Sequence, residues 1–109
     1  MSGALFLAQR ATAVLLAWAV AAHLALIIHA ERAGLTAGAI LARTQHNGAF
    51  LAFYGLFVVA AAIHAPIGLR NVLAEWTGWR GRSLDAAMAG FALALLWLGL
   101  RAAYAMFAP

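Results

Sequence analysis

The sequence contains no cysteine, no lysine and only three acidic residues. Without cysteine the chain forms no disulfide and supplies no thiolate to a metal or an iron–sulfur cluster. Charged residues are 9% of its 109 residues, whereas hydrophobic residues are 67%. Three acids and seven arginines cannot cover the apolar core of a soluble domain of this size. The sequence therefore predicts one membrane domain, residues 1–109, with lipid as its outer solvent.

The formal net charge of +4 comes entirely from arginine. The arginines flank the apolar runs instead of forming a cluster, which argues against nucleic-acid binding. One side of the predicted membrane holds Arg10, Arg70, Arg80 and Arg82, and the other holds Arg32, Arg43 and Arg101. By the positive-inside bias, this distribution favours a multi-pass protein of the cell inner (cytoplasmic) membrane with its N-terminus in the cytoplasm.

Three apolar runs are long enough to cross a bilayer core of about 30 Å as helices. We expect helix I over about residues 5–29, helix II over about 45–73 and helix III over about 84–107. The first run lacks a basic start followed by a short apolar centre, so we expect it to be retained and not cleaved as a signal peptide. The predicted fold class is all-α, an integral membrane bundle of three helices completed by a partner anchor subunit.

The connections between these helices carry their own signals. Residues 31–44 hold apolar residues at helical spacing and predict a short helix at the membrane interface. Residues 71–83 mix tryptophan and arginine, which favours a loop at headgroup level. Ser83, followed by Asp85, is expected to cap helix III. Pro66 lacks a backbone N–H, so we expect a kink in helix II.

Four histidines are the candidate cofactor ligands, and His23 and His64 lie inside predicted spans. An intramembrane histidine normally has a partner, yet no acid lies within one helical turn of either. Neutral imidazole is a good axial ligand for heme iron, and Gly68, one turn from His64, leaves room for a porphyrin edge. The alternative for both is a hydrogen bond to a neighbouring helix. His29 and His46 fall near the outer interface, where histidine is common.

His23 and His64 are predicted to lie at different depths in the membrane. At about 1.5 Å per residue, their positions relative to the midpoints of the uncharged spans differ by about 15 Å. Two axial nitrogens each lie about 2 Å from one metal ion. The two histidines are therefore not expected to share one heme, and each would need a second ligand from another chain.

The segment from His64 to Glu75 resembles the second helix of the cytochrome b membrane-anchor subunits of succinate dehydrogenase and fumarate reductase. In that family the histidine is followed by a glycine, an arginine and an acid at the spacing that Gly68, Arg70 and Glu75 have here. The acid is glutamate here, where aspartate is usual. The resemblance implies that His64 is an axial heme b ligand and that Arg70 lies near the heme propionates or the quinone site.

Helix I carries a second, looser match to the same family. Gln9, Arg10 and Thr12 stand where the family typically has a His-Arg-x-Ser-Gly pattern, whose histidine and glycine are missing here. The resemblance implies that Arg10 and Thr12 offer hydrogen-bond donors to a quinone, with membrane-edge anchoring as the alternative. In the two-heme branch a histidine further along helix I binds the distal heme, and His23 is similar in position.

The resemblance implies an electron-transfer subunit of succinate:quinone oxidoreductase, which connects the tricarboxylic acid cycle to membrane quinone. Its partners would be a flavoprotein subunit that carries the dicarboxylate chemistry, an iron–sulfur subunit and a second membrane-anchor subunit sharing one or two hemes b. The N-terminus and the loop around Trp76 and Trp79 would dock the iron–sulfur subunit. The alternatives are a heme-free anchor of the same layout and the heme b subunit of another quinone-linked membrane dehydrogenase.

Overall fold

The computed structural model describes residues 2–109. Its four helices are α1 (Gly3–Ala33), α2 (Ala37–Thr44), α3 (Gly48–Thr77) and α4 (Arg82–Phe107). Three of them, α1, α3 and α4, are long and apolar enough to cross a membrane. The longest dimension is 47 Å, close to the roughly 40–45 Å of a bilayer with its headgroups. Residues 2–109 contain no strand, and the predicted all-α fold with three spanning helices is confirmed.

Helix α3 is the centre of the bundle, because α1 and α4 both pack along it. Gly99 of α4 packs closely against Val58 of α3, since a Cβ added to the glycine would lie 2.5 Å from Val58 Cγ1. Most large side chains of α1 and α4 remain exposed, and Leu84 is the only large side chain that is fully buried in the described part of the chain. This apolar surface suits lipid or further membrane helices.

Helix α2 lies where α1 and α4 end and α3 begins, which we call the α2 end of the bundle. The Thr44 hydroxyl, in the last residue of α2, donates to the Met106 carbonyl, and the His46 backbone N–H donates to the Phe107 carbonyl, both at 2.9 Å. His46 has a φ of 54°, a left-handed conformation that is uncommon outside glycine. The short helix predicted within residues 31–44 is confirmed.

The opposite end of the bundle, which we call the loop end, differs from the prediction. Helix α3 continues to Thr77, and Gly78 ends it in the left-handed conformation, with φ 75°. The loop is therefore shorter than the predicted 71–83 segment. The prediction that Ser83 caps the last helix is wrong, because α4 begins before it, after Gly81. The Ser83 hydroxyl instead accepts a hydrogen bond from Trp79 Nε1 at 2.8 Å, which takes the oxygen that would have capped the helix.

Two further expectations concern residues inside the long helices. Asp85 lies in the first turn of α4, as predicted, where a negative charge is favourable beside the helix dipole. Pro66 is buried within α3, which is helical on both sides of it. The predicted kink at this position stays a prediction.

Candidate functional site

A polar contact between α1 and α3 joins Thr12 to His64. The Thr12 hydroxyl oxygen lies 2.7 Å from the Ala8 carbonyl oxygen and 3.3 Å from His64 Nδ1. A hydroxyl has one hydrogen, and a carbonyl can only accept. The short contact with Ala8 therefore uses that hydrogen, and the Thr12 oxygen accepts from Nδ1–H of His64. We infer from these partners that Nε2 of His64 is the unprotonated nitrogen.

This tautomer of His64 is the one that an axial ligand requires. Ligating histidines commonly donate their second ring N–H to a nearby acceptor, which orients the ring and raises its basicity. Thr12 supplies that acceptor here. The interhelical hydrogen bond and metal ligation thus use different nitrogens and are compatible. Within residues 2–109 no group of three or more histidine and acidic side chains is placed to hold a metal ion alone.

Gly68 faces helix α1. A Cβ added to Gly68 would meet Gln9 Nε2 at 3.3 Å, so the glycine makes room for the Gln9 amide. The Gln9 Oε1 atom is buried and has no hydrogen-bond partner in the described part of the chain. The glycine therefore serves the contact between α1 and α3, and its role beside a porphyrin stays a prediction.

The two arginines predicted near a quinone or heme propionates both lie toward the loop end. Arg70 Nε donates to Asp85 Oδ1 at 2.7 Å, in an ion pair that joins α3 to α4 and is 33% and 56% exposed. The Arg10 guanidinium lies 5.2 Å from the centre of the Phe6 ring, within the range of a cation–π contact. Asp85 thus balances the charge of Arg70, whereas Arg10 has no acidic partner within residues 2–109.

A second polar contact between α1 and α3 joins His23 Nδ1 to the Tyr54 hydroxyl at 2.8 Å. If Tyr54 donates, the Nε2–H of His23 and the lone pairs of the Tyr54 oxygen are left unpaired. If His23 donates, the phenol hydrogen and the Nε2 lone pair are left unpaired. Each arrangement leaves one donor and one acceptor without a partner within residues 2–109. Unlike the tautomer of His64, the tautomer of His23 is therefore not determined by its contact.

The two contacts also fix the relative depths of the histidines. Tyr54 and His64 are ten residues apart on α3, and Thr12 and His23 are eleven residues apart on α1. The two intervals correspond to about 15 Å and about 16.5 Å of helix. The predicted difference in depth between His23 and His64 is confirmed, and one iron cannot be bound by both.

A cavity of about 930 Å³ lies at the α2 end and is lined by residues of all four helices. Its volume falls within the roughly 300–1,000 Å³ that small-molecule sites occupy. The lining is mainly apolar, and its polar members include Arg43, Asn47, His23 and Tyr54. His64 does not line this cavity, so the two candidate heme ligands have different surroundings.

Three residues of these contacts were not predicted in their observed roles. Tyr54 is the only tyrosine in the apolar run of α3, a signal that sequence reasoning could have used. Asp85 was predicted only as an acid favourable to the start of α4, and Gln9 only as a departure from the family pattern. Their partners depend on how neighbouring helices rotate and slide, which the periodicity of a single helix does not reveal.

No protein-family model matches the chain, and no curated protein or solved structure is significantly similar to it. The fold defines the class as a multi-pass membrane protein with three spanning helices. Any finer assignment depends on the contacts of His64, Thr12, His23 and Tyr54 and on the resemblance of the His64 segment.

Proposed function

We propose that the chain is the heme b-binding membrane-anchor subunit of a succinate:quinone oxidoreductase and helps to pass electrons between the iron–sulfur subunit and membrane quinone. The observation that carries the proposal is the 3.3 Å contact between His64 Nδ1 and the Thr12 hydroxyl. This contact leaves Nε2 as the nitrogen with a free lone pair. The spacing of Gly68, Arg70 and Glu75 after His64 supports the same assignment.

The donor set of the chain fits one axial position of a heme. His64 would supply the first imidazole, and the second would come from a partner membrane-anchor subunit, because His23 is too far away in depth. The bound group supplies a one-electron redox centre. This chain orients the imidazole through Thr12 and provides apolar helix surfaces. Exposed side chains on α1 and α4 offer room for the partner's helices.

A second heme at His23 is the less favoured part of this proposal. Ligation through Nε2 of His23 requires its Nδ1–H to donate to Tyr54, and this contact does not select that tautomer as the Thr12 contact does for His64. We therefore expect heme bound at His64 to be retained more strongly than heme bound at His23.

The quinone site is proposed at the loop end, which the arginine distribution favours as the cytoplasmic side. Arg10 is exposed and has no acidic partner within residues 2–109, so its guanidinium is free to donate to a quinone carbonyl. Thr12 commits its hydrogen to Ala8 and accepts from His64, which makes it a positioning residue and not a quinone donor. Trp76, which is 83% exposed, belongs to the proposed contact with the iron–sulfur subunit.

A heme-free anchor of the same complex is the second candidate. The observation that favours it is that His64 already has a hydrogen-bond partner on α1, as a packed histidine does without any cofactor. The two candidates differ in whether Nε2 of His64 binds a metal.

The test is to purify the chain with its copurifying subunits in mild detergent and record the reduced-minus-oxidised spectrum and the pyridine hemochrome. We expect a b-type spectrum that His64→Ala abolishes or halves and that His29→Ala, a change at an exposed histidine, leaves intact. A further loss on His23→Ala would indicate two hemes. An intact complex with a covalent flavin subunit and no heme would support the heme-free anchor. Heme without any flavin subunit would point to another quinone-linked dehydrogenase.

A further inference from the structure

The cavity at the α2 end is a deep slot that begins at the membrane interface. Its lining includes Asn47, the capping residue at the start of α3, and reaches Val58 on the same helix. Eleven residues of helix correspond to a depth of about 16 Å. The slot therefore extends from the ends of the helices about halfway across an apolar core of about 30 Å.

The charged and amide groups of the lining lie at the helix ends, and the lining farther in is mainly apolar. The helix ends contribute His29, Arg43, Thr44 and Asn47, and Phe53 and Val58 lie farther in. At that depth the polar side chains of His23 and Tyr54 are hydrogen-bonded to each other. A molecule that matches this lining has a polar end at headgroup level and an apolar chain directed toward the membrane centre, which is the orientation of a bilayer lipid.

Arg43 determines the charge of the ligand. It is half-buried, and its Nη2 donates to the Gly34 carbonyl at 2.8 Å, which holds the guanidinium in place. No acidic side chain within residues 2–109 forms an ion pair with it. A guanidinium carries five N–H donors, so most of those on Arg43 are left for a ligand. An unbalanced cation beside an apolar cavity favours an anion, and the guanidinium fork matches phosphate oxygens.

We propose that this slot binds an anionic phospholipid, with its phosphate on Arg43 and one acyl chain between α1 and α4. A neutral quinone would leave the charge of Arg43 unbalanced. A heme bound through His23 would need its Nδ1–H to donate to Tyr54, a tautomer that this contact does not select. The proposal does not depend on heme at His64, because His64 does not line the slot.

The test is native mass spectrometry of the purified complex, stripped of loosely bound lipid and incubated with equal amounts of dioleoyl phosphatidylglycerol and dioleoyl phosphatidylcholine. We expect the wild type to retain phosphatidylglycerol in preference to phosphatidylcholine. Arg43→Gln should reduce that preference about fivefold, the effect of one basic side chain on an anionic lipid. The matched control is Arg32→Gln, because Arg32 is exposed in the last turn of α1 and does not line the slot.

A second pair of variants tests the acyl-chain part of the slot. Ala102 lines it, so Ala102→Phe should reduce the retention of both lipids. Ala94→Phe adds the same ring elsewhere on exposed α4 surface and should not. Helix content by circular dichroism identifies any variant that fails to fold. If an alanine-to-phenylalanine variant fails to fold, the comparison of Arg43→Gln with Arg32→Gln decides whether the slot binds an anionic lipid.

Three outcomes would overturn the lipid proposal. They are a wild type that retains no phosphatidylglycerol, equal lipid preferences in Arg43→Gln and Arg32→Gln, and loss of heme instead of lipid on Ala102→Phe. Failure of the heme proposal is distinguishable from these. A complex without heme that still selects phosphatidylglycerol through Arg43 would reject the role of His64 and keep the lipid site.

Discussion

Replacing Gly99 by alanine tests the close packing of α4 on α3 at Val58. The added Cβ would lie 2.5 Å and 2.8 Å from the two Cγ atoms of Val58 and 3.2 Å from its Cβ. Unstrained carbon atoms pack at about 3.5–4.0 Å, so the shortest contact is about 1 Å too close. Valine in a helix strongly prefers one rotamer, so rotation of the Val58 side chain would not relieve the clash without cost. Helix α4 must shift away from α3 instead.

We expect Gly99→Ala to destabilise the bundle by about 1–3 kcal/mol, the usual range for overpacking a well-packed contact. The Val58→Ala change removes both Cγ atoms that cause the clash. The Gly99→Ala/Val58→Ala variant should therefore lose less stability than the sum of the two single changes. The sign of this coupling follows directly from the geometry.

The assay is unfolding of the purified protein by sodium dodecyl sulfate in dodecyl maltoside, followed by circular dichroism. The matched control is Gly90→Ala in the same helix, because a Cβ at Gly90 meets no atom within 4 Å. That variant should be neutral or slightly stabilising, since alanine is a better helix former than glycine. If Gly99→Ala proved as stable as Gly90→Ala, the close packing of α4 on α3 at Val58 would be refuted.

Two further predictions concern the polar contacts between helices. Thr12→Val removes the acceptor for His64 Nδ1–H and should weaken heme retention about 10- to 100-fold. Thr12→Ser keeps a hydroxyl and should retain the heme. Equal hemochrome yields from both variants after detergent washing would exclude a role of Thr12 in positioning His64. Asp85→Asn removes an exposed ion pair with Arg70 and should cost less than about 1 kcal/mol in the same unfolding assay. This loss should shrink at high salt, and a larger, salt-independent loss would contradict the exposed geometry.

The spanning helices were predictable because their lengths follow from uninterrupted apolar runs. The short α2 helix was predictable from its apolar spacing, and the depths of His23 and His64 from a constant rise per residue. The predicted bounds were too narrow at the ends of several helices. Helix α1, for example, continues through Glu31 and Arg32 to Ala33. At the membrane edge a helix extends past its apolar run, because water and headgroups solvate charged side chains there.

The partners within the candidate site were not predictable from one sequence. Thr12 was expected to serve a quinone, but its hydroxyl is used between Ala8 and His64. Ser83 was expected to cap α4, but an indole N–H takes its oxygen. These outcomes depend on the rotation of one helix against another and on loop conformation. Hydrophobic periodicity sets neither of them, because nearly every face of these helices is apolar.

The contacts of Thr12 with His64 and of His23 with Tyr54 join α1 to α3 at two depths about 15 Å apart. In lipid, apolar side chains offer little to distinguish one sliding position of two helices from another. Moving α1 past α3 by one turn, about 5.4 Å, would break both hydrogen bonds together and leave two imidazoles unpaired in the membrane. The hydrogen bonds of the two histidines therefore favour a single register between α1 and α3 when the chain assembles in the bilayer.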